Sequence, residues 1–226
     1  MDPFLKAGIK IDKKYVISLD HRQDRKDSAI KEFEKIGVTD YIFYPGFNTR
    51  ATGLLSRYLT NPGTAGCYMA HQAIIHEAYA NKYDNVLIME DDLGFVEGFA
   101  DKFVEQWKQV PANYDMVWIG SNEIKSKLST KVSENLNIPG QVWGAHCYLL
   151  SKSGIEKIYK HLNGTLMKNH VDIIMNNTPG LIQFNFNPPL SNQKGMGTDN
   201  VMIHTGFVNK AQDQLNRLKN KPKKVF

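Results

Sequence analysis

Cysteine is scarce in this 226-residue chain: there are two, Cys67 and Cys147. Two thiols build neither a disulfide scaffold nor a zinc cluster of cysteines, so both are expected reduced and buried. Long hydrophobic runs are missing too. No stretch approaches the ~18 consecutive apolar residues of a membrane span, and charges interrupt Met1 to Lys14 where a signal peptide would carry its apolar core. Neither secretion nor a membrane anchor is expected, which leaves a cytoplasmic location as the reading. Glycine is absent from Asp20 to Asp27, the segment after the first predicted strand, and this counts against a phosphate-cradling loop of the nucleotidyltransferase kind. There is no internal repeat, and no composition shift marks a domain boundary.

What is present is ordinary globular composition, with 42% hydrophobic and 23% charged residues, at a length that suits one α/β domain. The net charge of +5 is uneven, because Arg217, Lys219, Lys221, Lys223 and Lys224 crowd the end. One domain over 1–210 with a basic tail over 211–226 is the expected organisation. Such a tail is either solvated and idle or a peripheral contact to an anionic membrane. No reader motif accompanies its lysines, so a nucleic-acid partner is not expected.

Hydrophobic periodicity predicts alternating strands and helices. Tyr15 to Leu19 is β-branched and apolar on both faces, as in a central strand covered by helices. Arg22 to Ile36 has helical spacing and stops at Gly37. Tyr41 to Tyr44 reads as a strand, Gly46 to Pro62 as loop, and Thr64 to Asn81 as a helix with Cys67, His71, Ile74 and Ala78 along one stripe. Asn85 to Met89 is a strand followed at once by Glu90-Asp91-Asp92. Further elements are predicted at Phe99 to Val110 (helix), Met116 to Ile119 (strand), Trp143 to Leu150 (strand) and Ser151 to His161 (helix). Val171 to Met175 follows as a short helix and Leu181 to Phe186 as a strand, with Pro188-Pro189 closing the ordered part. Ser121 to Pro139 lacks periodicity and reads as a surface loop or flap.

Acids at the carboxyl end of a strand point to a site, because open α/β sheets bind ligands there. Three adjacent carboxylates repel one another, and a hard divalent ion such as Mn²⁺ or Mg²⁺ is the natural compensator. The plain alternative is a solvated acidic turn. Arg22 and Arg25 follow the first strand, where a guanidinium fork suits a diphosphate. Asp172 is a candidate base or, alternatively, an acid that complements a helix N-terminus. His71, on an apolar stripe, reads as a hydrogen-bonded core residue, and Trp143 as core or as a platform for a sugar face.

Taken together, several segments resemble glycosyltransferase family 25, the bacterial lipopolysaccharide and collagen galactosyltransferases. The resemblance runs through Val16-Ile17-Ser18-Leu19 with Arg22, Asp24 and Arg25, then Gly66-Cys67 and His71, then Leu87-Ile88-Met89-Glu90-Asp91-Asp92. It resumes at Gly144-Ala145 with Tyr148-Leu149-Leu150-Ser151, at Val171-Asp172, and more weakly at Pro188-Pro189-Leu190, Gln193 and Thr198-Asp199. The family has Ser before the His, and here Ala70 stands in that place. The resemblance implies a GT-A type fold and inverting transfer of a hexose, galactose or glucose, from a UDP-sugar with Mn²⁺ (or Mg²⁺). The acceptor hydroxyl would belong to a glycan, a lipid-linked glycan or a modified protein side chain. It implies that Asp92 holds the metal; His204 is a candidate late metal ligand of the GT-A kind or, alternatively, a surface histidine. Glu90, Asp91, Arg25, Ser18, Leu19 and Gly144 would bind the nucleotide sugar, and Asp172, or alternatively Asp199, would be the catalytic base. A non-catalytic carbohydrate-binding or scaffold protein on the same fold is the competing expectation.

Overall fold

Successive side chains of a strand point to opposite faces, and in the central strands of this protein both faces are apolar. Val16, Leu87, Met89, Val117 and Leu149 enter one core together with Phe33, Phe99 and Phe103. Their neighbours Tyr15, Val86, Ile88, Met116, Trp118 and Leu150 enter a second core with Ile74, Ile75, Ile155 and Ile158. A sheet between two layers of helices is the only way to bury both sets.

The computed structural model describes residues 1–48, 62–123, 129–164 and 169–196. Its elements are α1 (Pro3–Lys6), β1 (Lys13–Ser18), α2 (Gln23–Ile36), β2 (Ile42–Pro45), α3 (Pro62–Ala80), β3 (Asn85–Glu90), β4 (Leu93–Phe95) and α4 (Phe99–Trp107). There follow β5 (Met116–Glu123), β6 (Thr130–Lys131), β7 (Leu136–Ile138), β8 (Val142–Ser151), α5 (Lys152–Gly164), α6 (Val171–Asn176), β9 (Gln183–Phe186) and β10 (Ser191–Gln193).

Eight strands form one sheet in the order β2-β1-β3-β8-β5-β9-β7-β6. The pairings leave only β8 and β7 running against the other six strands, so the sheet is mostly parallel, as expected. Local chemistry sets the helix ends. Gly37 takes the left-handed conformation (φ 74°) that closes α2, and Ser151 Oγ accepts from Gly154 N at the start of α5. None of the described helices is long and apolar enough to cross a membrane.

Three predicted boundaries are corrected. The strand expected to stop at Gly120 runs to Glu123. Within Ser121 to Pro139, expected to be a surface loop or flap, β6 and β7 extend the sheet, with Leu136 and Asn137 buried. Strands of two or three residues are too short to leave a periodic signal. The ordered chain also continues past the proline pair, where β10 pairs antiparallel with β4 and sets Gln193 opposite Leu93. That ribbon carries Gln193 and Lys194 to the acid triplet. The expected boundary between 1–210 and a basic tail lies outside the described residues.

Candidate functional site

β1 and β3 lie side by side and parallel, with Ile17 opposite Glu90, so their carboxyl ends open at one edge of the sheet. Asp91 N donates to the Ile17 carbonyl at 3.1 Å and continues the strand pairing one residue further. The Asp91 side chain turns inward. The Ser18 hydroxyl donates to its Oδ2 at 2.7 Å, and Arg25 Nη1, from the first turn of α2, donates to its Oδ1 at 3.0 Å. The same Nη1 stands 3.7 Å from Asp92 Oδ2. Burial pushes the Asp91 carboxyl up from its ordinary value, while Ser18 and Arg25 pull against that rise.

Asp92 is the least satisfied member of the triplet. Its Oδ1 is buried and has no hydrogen-bond partner. Burial, and then the charge of Glu90, push its carboxyl up to about 7 against the pull of Arg25. Unmatched buried carboxylate oxygen beside two further carboxylates is what a hard divalent cation relieves, so the residues present fit such an ion. From β10, Lys194 N donates to the Asp92 carbonyl at 2.7 Å, and the Gln193 amide bonds the Asp92 side chain.

Glu90 faces two ways. Its Oε1 meets His71 Nε2 at 3.3 Å and Cys67 Sγ at 3.6 Å, both from α3, and Gln193 Nε2 donates to its Oε2 at 3.4 Å. Burial raises the Glu90 carboxyl, but His71 and the charge of His146 outweigh it and leave it lowered. His71 is fully buried, with Nδ1 2.7 Å from the Tyr148 hydroxyl. It is thus a hydrogen-bonded core residue, as expected, and also a direct contact of the triplet.

Gly144 and Asp172 form the opposite wall. Gly144 has φ +84°, which an L side chain rarely adopts, and its N donates to Asp172 Oδ2 at 2.6 Å. A Cβ there would sit 3.2 Å from His146 Nδ1 and 3.5 Å from Gln193 Oε1. Gly144, Gln193 and Glu90 are therefore near neighbours. Asp172 is buried, and its charge is felt at Cys67 together with those of Glu90 and Asp92.

Of the sequence-predicted residues, Ser18, Arg25, Glu90, Asp91 and Asp92 come together directly, and Leu19, Gly144 and Asp172 border them. Asp199 and His204 lie outside the described residues. Arg22 bonds Asp24 and the Met196 carbonyl. Trp143 is not core: it is partly exposed and lies 5.3 Å from the His170 ring. Sequence reasoning gave no role to His146, which is fully buried, has no partner at Nδ1, and lies 3.3 Å through Nε2 from the Ser191 carbonyl. Its one signal was a polar residue in the otherwise apolar run Ala145 to Leu150.

A family model described as "Glycosyltransferase family 25 (LPS biosynthesis protein)" matches residues 11–175, most of the chain. A mimivirus protein named "Procollagen lysyl hydroxylase and glycosyltransferase" is 22% identical over 185 residues, covering 70% of this chain and 20% of the relative. A "Probable inactive glycosyltransferase 25 family member 3" of Bos taurus is 25% identical over 172 residues, covering 65% of this chain and 28% of the relative. The chain thus spans less than a third of the length of these relatives. Among solved structures, a Drosophila β1,4-galactosyltransferase 7 in complex with manganese, UDP-Gal and xylobiose aligns at TM-score 0.41 and 13% identity. That alignment covers 94% of this chain and 81% of that one. At so low a score the likeness assigns no residue a role.

Proposed function

The chain belongs to glycosyltransferase family 25, and from that premise we propose that it is an inverting, metal-dependent transferase moving a hexose, galactose or glucose, from a UDP-sugar to a hydroxyl. The acceptor would be a glycan, a lipid-linked glycan or a modified protein side chain. The observation that carries this reading is the buried, unpartnered Oδ1 of Asp92 at the mouth between β1 and β3. A transferase with a hard cation in its site needs an oxygen ligand there.

Asp92 is the metal ligand in this reading, with Mn²⁺ or Mg²⁺ as the ion. The chemistry such an ion supplies is charge neutralisation across the diphosphate. Arg25 and Ser18 fix the Asp91 carboxylate, leaving Asp91 and Glu90 to orient the ribose and the sugar. Ser18 and Leu19 lie beside the uracil in this reading, by their position at the end of β1. Gly144, held at φ +84° and tied to Asp172 through its N, borders the sugar in this reading. In this reading Asp172 takes the proton of the attacking acceptor hydroxyl while the bond from the anomeric carbon to the diphosphate oxygen breaks on the opposite face. A well-placed carboxylate contributes ~10²- to 10⁴-fold in such a role. Asp199 is the alternative base and His204 the second metal ligand proposed from the family pattern.

A second reading, a non-catalytic carbohydrate-binding protein, draws on the relative whose name marks it as probably inactive. One experiment separates the two: UDP release from a panel of UDP-sugars, with Mn²⁺ or with chelator, for the wild type and Asp92→Ala. Metal-dependent release from one sugar, lost in the variant, supports the transferase. Sugar-nucleotide binding without turnover of any donor supports the binding protein, and no binding at all defeats both.

A further inference from the structure

A second kind of metal chemistry is laid out one layer beneath the acids. Cys67 and His71 are four residues apart on α3, on one face of the helix, and Glu90 meets them from the end of β3. The ligand atoms of the three residues all lie within 4.8 Å of one another. Glu90 Oε1 stands 3.3 Å from His71 Nε2 and 3.6 Å from Cys67 Sγ. Metal bonds of ~2.0 Å to nitrogen and oxygen and ~2.3 Å to sulfur, at tetrahedral angles, require ligand separations of about 3.3–3.6 Å. Two edges of that tetrahedron are present before any ion binds.

Three further features fit. Tyr148 holds His71 Nδ1 at 2.7 Å. With that nitrogen donating to the tyrosine hydroxyl, the Nε2 lone pair faces the space shared with Cys67 and Glu90, the usual arrangement of an outer partner on a ligating histidine. Charge closes as well, since a thiolate and a carboxylate cancel a divalent ion beside a neutral imidazole. Access exists, because Cys67 is half-buried and the Glu90 side chain is 20% exposed.

We infer that Cys67, His71 and Glu90 form a three-ligand site for a thiophilic divalent cation such as Zn²⁺, distinct in ligand chemistry from the oxygen site at Asp92. Binding forms bonds to Sγ, Nε2 and Oε1; the proton that Nε2 shares with Glu90 in the metal-free protein moves to Nδ1, which then donates to the Tyr148 hydroxyl, and the Cys67 thiol proton passes to solvent. A fourth position remains open to water, and the ion ties Glu90 to α3.

The test is Co²⁺ titration of the full chain under reducing conditions, followed by absorption, with Zn²⁺ displacing the cobalt. The expected result is a sulfur-to-cobalt charge-transfer band with the intense visible bands of a four-coordinate ion. Both should be lost in Cys67→Ser and kept in Cys147→Ser and in Asp92→Ala. Tyr148→Phe should keep the band and weaken binding ~10- to 100-fold. If wild-type protein shows only the weak visible absorption of a six-coordinate, all-oxygen ion, or if the band follows Cys147, the site does not exist. The wild-type spectrum decides this even if Cys67→Ser fails to fold. It is also independent of any donor assay, so failure of the transferase reading and failure of this one are distinguishable.

Discussion

Arg25 Nη1 lies 3.0 Å from Asp91 Oδ1, joining the first turn of α2 to the end of β3 through a pair that is nearly buried on both sides, with side-chain exposures of 11% and 5%. Removing one partner of such a pair strands the other charge away from water, which costs more than the pair contributes when intact. Arg25→Ala is expected to lower unfolding free energy by about 3–5 kcal/mol, and adding Asp91→Asn should recover part of that loss. Chemical denaturation of the two variants checks this. A loss under ~1 kcal/mol would mean that Ser18 alone satisfies Asp91.

Glu32, buried on α2, makes the corresponding link on the other side of the triplet. It accepts from Phe95 N at 2.9 Å and pairs with Lys194 at 2.8 Å and with Lys35. Burial opposes its ionisation, but Lys194, Lys35 and the Phe95 amide outweigh it and hold the carboxyl down at about 2. A depressed folded-state value means that the stabilisation is present above the unfolded value near 4.5 and is lost as pH falls toward 2. Glu32→Gln should therefore cost roughly 3 kcal/mol at neutral pH, with the two proteins converging as pH approaches 2. A pH series of denaturation midpoints would expose the opposite slope, if it exists.

Much of this was legible in the chain, for identifiable reasons. Val86 to Met89 is apolar on both faces and ends abruptly in acids, so the strand and the clustering of a candidate site at its end follow from local pattern. Gly37 after a helical stripe names its own stop. What could not be read is pairing over distance. β4 and β10 are three residues each, too short for any period, yet they bring Gln193 and Lys194 to Asp92. Cys67 and Glu90 are 23 residues apart and meet only because α3 packs on β3, so counting cysteines concealed a mixed ligand set. His146 sits among apolar neighbours, and only the fold shows that its Nδ1 lacks a partner.

Gly120 tests whether the β4–β10 ribbon positions the site. A Cβ on Gly120 would overlap Ser191 Oγ and crowd His146 Nε2 and the Ser191 carbonyl, and β10 cannot yield without moving Gln193 off Glu90. Gly120→Ala is expected to destabilise by about 1–3 kcal/mol and to weaken Mn²⁺ and UDP-sugar binding together. Gly164→Ala, where a Cβ meets nothing within 4 Å, is the control and should be neutral or slightly stabilising. If Gly120→Ala loses stability but binds normally, the ribbon is structural only.

The triplet also predicts an opposition between stability and metal binding at Asp92. Its carboxyl is raised to about 7, so in the metal-free protein the folded state resists an ionisation that the unfolded chain undergoes near pH 4. Stability supplied by the protonated form is complete below that value, falls away as pH rises toward 7, and stays lost above it. Asp92→Asn keeps the shape and cannot ionise. In chelator it should match the wild type near pH 4 and exceed it by about 1–2 kcal/mol at pH 8, a figure discounted for the coupling to Glu90 and for partial exposure. Adding Mn²⁺ should reverse the order, because only the wild type gains the binding free energy that raises its melting temperature with ion concentration. A variant no more stable than wild type in chelator would mean that Arg25 already neutralises the triplet, and the case for a cation at Asp92 would lose its main physical support.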